Sequence, residues 1–205
     1  ALLKTLEEPP KNTVFLLISH NPQSLLPTIK SRCRELRLSS LSESDLISAL
    51  RQLNLTIPKN DSEIYSLLGS GSVGNSIRLL EHDGANLYRN LLSLLNQLPN
   101  LDGFELEKFI GTFSGNKSSG RLELLTELIN IVIARISKAG IMGHSSWDRI
   151  LEDEKEVFVK LCPNAIIATK WAELAQTQSE NLKHGLAVNL DPSSLILDTF
   201  FRIED

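Results

Sequence analysis

The chain has 205 residues, 41% of them apolar, and a formal net charge of -4, the composition of one or two globular domains able to bury a core and not of a disordered chain. No apolar run approaches the roughly 18 residues that a membrane span needs, and the start lacks the basic-then-apolar order of a secretory leader; a cytoplasmic place without a membrane partner is expected. Charge is uneven, with six Lys/Arg against three Glu in residues 1–40 and fifteen Lys/Arg against twenty-two Asp/Glu in 41–205, so the acidic larger part is poorly suited to neutralising a phosphate backbone by itself.

In chain order, Leu2, Leu3 and Leu6 have helical spacing, and Pro9-Pro10 ends that helix because a proline pushes its predecessor out of the helical region. Thr13-Val14-Phe15-Leu16-Leu17-Ile18-Ser19 has no polar alternation, the pattern of a strand buried on both faces of a parallel sheet. One strand is not stable alone, so either its neighbours come from another part of the protein or this piece packs against the helices in another way. Asn21-Pro22 makes a turn, and Thr28-Ile29-Lys30-Ser31-Arg32-Cys33 falls on an exposed corner before a segment ending in Leu36 and Leu38. Cys33 and Cys162 have no partner spacing and read as ordinary buried thiols, with neither a disulfide nor a metal knuckle.

From residue 41 the period is helical. Ser42-Glu43-Ser44-Asp45 is a capping-box type start, followed by Leu46, Ile47, Leu50 and Leu53 on one face. A second helix carries Ile64, Leu67 and Leu68 and ends at Gly69-Ser70-Gly71; a third places Val73, Ile77 and Leu80 together. Gly69 to Gly74 is formally G-x-G-x-x-G, but it follows a helix and not a strand, which disfavours a phosphate-cradling loop.

The remainder, 84–205, reads as a helical bundle. Its helices carry Leu87, Leu91, Leu94 and Leu98 up to Pro99; Phe104, Phe109, Ile110 and Phe113; a long apolar face from Ser119 to Lys138 that stops at Gly140; and Val157, Phe158 and Leu161 before Pro163. A further helix over about 164–185 carries Ile167, Trp171, Leu174 and Leu182, and the last starts with Asp191 as N-cap and Pro192 at N1 before Leu195, Ile196, Phe200 and Ile203. Glu152-Asp153-Glu154 reads as a solvated surface run, and Trp147 and Trp171 as core or interface. His20, His82, His144 and His184 are scattered without metal-ligand spacing and read as polar surface; no metal site and no Ser/His/Asp set is visible.

The decapeptide Ala1 to Pro10 (ALLKTLEEPP), the apolar run, Pro22 and Ser31-Arg32-Cys33 together resemble the end of the AAA+ ATPase domain in bacterial DNA polymerase III clamp-loader subunits, the gamma/tau and delta prime family. The resemblance implies a mainly α chain in three parts: 1–40 as the α/β tail of an AAA+ nucleotide-binding domain, 41–83 as a three-helix lid, and 84–205 as a helical collar. Arg32, with Ser31 and Cys33 as its motif, would be an arginine finger acting in trans. A guanidinium is permanently charged and planar, suits the charge on a transferring γ-phosphoryl group, and can be worth roughly a thousandfold in rate. The motor subunits of the family read Gly-Ser-x-Arg at the sensor 2 corner, with the arginine directed at phosphate; this chain reads Gly71-Ser72-Val73-Gly74, with Arg78 one turn later. Gly74 disfavours hydrolysis in cis and is the pattern of the delta prime branch, as is Asn189-Leu190-Asp191-Pro192 with the helix after it.

The implied partners are gamma/tau and delta subunits, and indirectly the sliding clamp and primed DNA, within the DNA polymerase III holoenzyme, a nucleotidyltransferase. No cofactor is expected in this chain and no intrinsic activity; ATP-Mg would lie in the neighbouring motor subunit. A gamma/tau-type motor ATPase and a helical interaction module with no replication role remain as alternatives.

Overall fold

The computed structural model describes residues 2–19, 21–113, 119–143, 150–187 and 192–204. His20, His144, Trp147 and Asp191, with Asn189 and Leu190, lie outside them, as do the side chains of Leu182 and His184. Two compact units are present, 1–39 and 40–205.

The smaller unit contains α1 (Leu2–Glu7), a 3-10 turn at Pro22–Ser24 and α2 (Pro27–Lys30), with α1 against α2. Residues 13–19 are not a strand, and the described residues contain none. Val14, Leu16 and Ile18 are 82%, 87% and 89% exposed. This corrects the expected buried strand among the described residues. A strand needs a ladder partner for its N–H and C=O groups and an apolar layer for its faces, and no described residue supplies either to this run.

In the larger unit, α3 (Glu43–Gln52) starts at Ser42, whose side chain accepts from the Asp45 N–H at 3.2 Å. It buries Leu46 and Leu50 against α4 (Ser62–Leu68) and α5 (Val73–Glu81). On α5 the buried positions are Ser76 and Leu79, one step round from the expected Val73, Ile77 and Leu80 face. The following helices are α6 (Gly84–Gln97), α7 (Gly103–Gly111), α8 (Ser119–Met142), α9 (Glu152–Leu161), α10 (Ala165–Ala187) and α11 (Pro192–Glu204). One apolar core runs without a break from Ile64 on α4 to Phe200 on α11.

At its centre, Leu125, Leu128, Ile129, Val132, Ile133 and Ile136 of α8 are fully buried. Helix α8 does not stop at Gly140. A Cβ there would lie 2.2 Å from Cys162 Sγ and 2.7 Å from Ala168 Cβ, so the missing side chain lets α8 and α10 approach, and the glycine is a packing contact within the helix. Near it the Ser137 hydroxyl donates to the Ala168 carbonyl at 2.9 Å. Trp171 is buried and donates its Nε1–H to the Leu161 carbonyl at 3.0 Å, which closes α10 onto the end of α9.

Glu154 departs most from the expected solvated run. Its side chain is fully buried. It accepts from the Tyr88 hydroxyl of α6, from Arg135 Nε of α8 at 2.8 Å and also from Arg135 Nη2, and from the Leu151 N–H at 2.9 Å. The last bond caps α9, satisfying a backbone donor outside the helical ladder. Asp153 faces Arg89 of α6 at 3.3 Å, and Arg89 also holds Asp61 at the start of α4. Glu152, paired with Lys155, and Asp153 stay on the surface as expected.

Burial first, and then the neighbouring Glu154 charge, push the Tyr88 hydroxyl far above its ordinary pKa. For Arg135, burial works against the charge, but the hydrogen bonds and charge of Glu154 outweigh it and raise its pKa. Removing one partner of such a pair leaves the other buried and uncompensated, at a cost of about 3–5 kcal/mol. Glu154→Ala is therefore expected to lower the unfolding free energy of the chain by about 3 kcal/mol in urea titration, the lower end because Arg135 keeps 21% of its side-chain exposure.

The Tyr88 shift also fixes a pH dependence. The unfolded chain releases the phenolic proton near pH 10 while the folded chain retains it, so the stabilisation is whole below about pH 10 and is lost as pH rises above it. Tyr88→Phe should flatten the alkaline fall in unfolding free energy measured between about pH 9 and 11.5.

Candidate functional site

Two corners of the chain carry the residues singled out from the sequence, one in each unit. The first is the turn at residues 31–33. Pro27 opens α2 at its first position, and the Arg32 and Cys33 N–H groups close the turn on the carbonyls of Ile29 (3.1 Å) and Lys30 (3.4 Å). Cys33 is exposed, a correction to the buried thiol expected: the turn faces solvent. Cys162, by contrast, is buried, and burial raises its thiol pKa.

The Arg32 side chain is a third exposed and bonded on both arms of its fork. Nη1 donates to the Thr28 carbonyl at 2.9 Å and to Ser31 Oγ at 3.2 Å, and Nη2 pairs with Glu7 of α1. The Ser31 hydroxyl in turn donates to the Thr28 carbonyl at 3.2 Å. A guanidinium so placed is a fixed cation at the surface, with a carboxylate occupying one of its donor edges.

The second corner joins α4 to α5, where the three glycines differ in what they do. Gly71 has φ +69, and a Cβ there would lie 2.6 Å from the Leu41 carbonyl oxygen; the Leu41 N–H donates to the Gly71 carbonyl at 3.1 Å. A Cβ on Gly69 would lie 2.6 Å from the Tyr65 carbonyl oxygen. Both are therefore required by packing. The Ser72 side chain caps α5 by accepting from the Asn75 N–H at 3.4 Å.

Gly74 is exposed in the first turn of α5, with only Ser72 Oγ, at 4.0 Å, near the place of a Cβ. No steric demand keeps a larger residue out of position 74; the glycine leaves it without a charge. Arg78, one turn on, is paired with Glu127 of α8 at 3.0 Å.

Among the described residues no group of three or more His, Cys, Asp or Glu could hold a metal ion, and no helix is long and apolar enough to cross a membrane. His82 is half-buried against Gly120 of α8, whose Cβ would lie 2.8 Å from its Nε2, so it is packed and not the polar surface residue expected. A shallow groove between α8 and α10 has Ala134, Ile141, Met142, Ala172 and Ala175 among its lining residues.

Sequence reasoning missed Glu154 and Glu7. The sign of the first was a cation, Arg135, in the apolar stretch of α8; Glu7, in the decapeptide Ala1 to Pro10, gave no sign of pairing with Arg32.

Residues 1–42 match the family described as DNA polymerase III, delta subunit. The DNA polymerase III gamma subunit of Buchnera aphidicola subsp. Schizaphis graminum is 32% identical over 161 residues, 74% of this chain and 40% of that protein. The delta' subunit of Escherichia coli is 31% identical over 138 residues, 66% of this chain and 40% of that protein. The delta' subunit of Pseudomonas aeruginosa is 76% identical over 33 residues, 16% of this chain and 10% of that protein. The chain thus spans about two fifths of the length of the Buchnera and E. coli relatives. No solved structure matches it. With the Ser31-Arg32-Cys33 turn, the helical larger unit and these relatives, the chain belongs to the clamp-loader family of DNA polymerase III subunits, that of gamma, tau and delta'.

Proposed function

We propose that the chain is a delta'-type clamp-loader subunit that supplies Arg32 in trans to a nucleotide held by a neighbouring gamma/tau motor subunit. The observation that carries the reading is the pairing of two features: an arginine presented at a surface turn, and an exposed Gly74 where a cis-acting arginine would stand. Catalysis of phosphoryl transfer is mostly positioning and charge stabilisation, so a subunit with a finger and no sensor arginine is suited to completing another subunit's site. ATP-Mg then belongs to the neighbour, and the work of the assembly is to place a sliding clamp on primed DNA.

In this reading residues 1–40 are the tail of an AAA+ domain, whose sheet covers the apolar run 13–19; residues 41–83 are the lid and 84–205 the collar. The exposed Val14, Leu16 and Ile18 support it, because a fully apolar run is the pattern of a strand flanked on both faces. The groove of Ile141 and Met142 beside small residues on α8 and α10 suits a helix of another subunit. A gamma/tau-type motor is the second reading, favoured by the wider coverage of the Buchnera gamma relative; it needs nucleotide bound by the same polypeptide, and position 74 then offers that nucleotide no arginine.

The test is Arg32→Ala in the reconstituted assembly, with the other nucleotide sites disabled. Assembly by size-exclusion chromatography is expected to be unchanged, and DNA-stimulated ATP turnover at the site it faces to fall by about a thousandfold. Unchanged turnover would sink the finger reading.

A further inference from the structure

The Arg32 fork is already occupied. Its Nη2 pairs with the Glu7 carboxylate of α1, and its Nη1 is spent on the Thr28 carbonyl and the Ser31 hydroxyl. Glu7 and Arg32 are 25 residues apart, and the pair ties α1 to the turn that carries the arginine.

A guanidinium in contact with a carboxylate is nearly neutral as a unit and has one donor edge fewer for another anion. A phosphoryl group approaching that edge also meets the negative charge of the carboxylate. The same oxygens that hold the arginine therefore compete with phosphate for it, since carboxylate and phosphate accept from the same planar fork.

We propose that Glu7 is a latch on Arg32: a carboxylate that stands in for phosphate, holds the finger back in the resting subunit, and is displaced when the neighbouring nucleotide site closes. This rests on the trans-finger reading of Arg32.

The strength of the pair suits such a role. Both side chains are partly open to solvent, at 33% and 49%, and exposed ion pairs are weak enough to be broken by a competing anion. A buried pair such as Glu154 with Arg135 could not open in this way without a large penalty. The latch is thus expected to hold back turnover by only about two- to fivefold, the range that exposed pairs reach, against the roughly thousandfold contribution of a finger. It trims basal turnover and does not forbid it.

The deciding experiment is ATP turnover by the reconstituted assembly, with and without primed DNA and clamp, for wild type, Glu7→Gln, Arg32→Ala and the double variant. Glutamine keeps the size of the side chain and an oxygen acceptor while removing the charge. The latch predicts that Glu7→Gln raises basal turnover about two- to fivefold, leaves KM for ATP unchanged, alters the stimulated rate much less, and has no effect on top of Arg32→Ala. Glu7→Asp, which keeps the charge, should keep basal turnover low. A Glu7→Gln assembly with equal or lower basal turnover, beside an Arg32→Ala assembly that is strongly impaired, would overturn the latch and leave the finger. No loss in Arg32→Ala would remove the finger, and the latch with it.

Discussion

A carboxylate with no exposed surface, that of Glu154, joins α6, α8 and α9 in the larger unit. Its two oxygens take a phenol, a guanidinium fork and the first free N–H of α9, so the charge is compensated by donors from three helices. Helix α9 has few other ways to be placed: its buried apolar side chains are Val157 and Phe158, and most of its surface is charged. Next to it, Arg89 reaches from α6 to Asp153 and to Asp61, with Asp61 raising the Arg89 pKa more than Asp153 does. The same helix pair that buries Glu154 thereby ties the start of α4 to the rest of the bundle. A hydrophobic replacement of similar volume would satisfy burial equally well, but it would not fix which turn of α6 meets which turn of α9.

Much of this was legible in the sequence where periodicity decides the outcome. Leucines at 87, 91, 94 and 98 lie inside as their spacing requires, and so does the face of α8 from Leu125 to Ile136. The failures have physical causes in single residues. Gly140 reads locally as a stop, yet the α8–α10 approach needs the space a Cβ would fill. Glu154 reads as one of three surface acids, since nothing in its neighbourhood shows that Tyr88 and Arg135, 66 and 19 residues away, converge on it. Residues 13–19 have the composition of a strand, but strand formation depends on a partner that composition cannot supply. Burial of α5 is shifted because Ser76, whose hydroxyl bonds to the Ser72 carbonyl at 3.0 Å, takes an inward position that a hydrophobic count passes over.

The candidate site shows the same division. The Ser31-Arg32-Cys33 turn and the odd glycine at 74 were visible in the sequence, whereas the carboxylate on the arginine was not, because Glu7 lies 25 residues away in α1. Structure and chemistry are distributed differently along this chain. The Glu154 carboxylate in the bundle is fully buried, while the side chains of Arg32 and Glu7 are both partly open to solvent. The two ion pairs are of opposite kinds, one costly to break by removing a partner and one cheap.

The finger and its latch both depend on where the Arg32 guanidinium goes when nucleotide is present. The most direct measurement is a structure of the reconstituted assembly holding ATP-Mg or a γ-phosphate analogue in the adjacent motor subunit. An Arg32 nitrogen at about 3 Å from a γ-phosphate oxygen, with Glu7 parted from it, is the expected result. An occupied neighbouring site with Arg32 still on Glu7 and no contact to phosphate would contradict it.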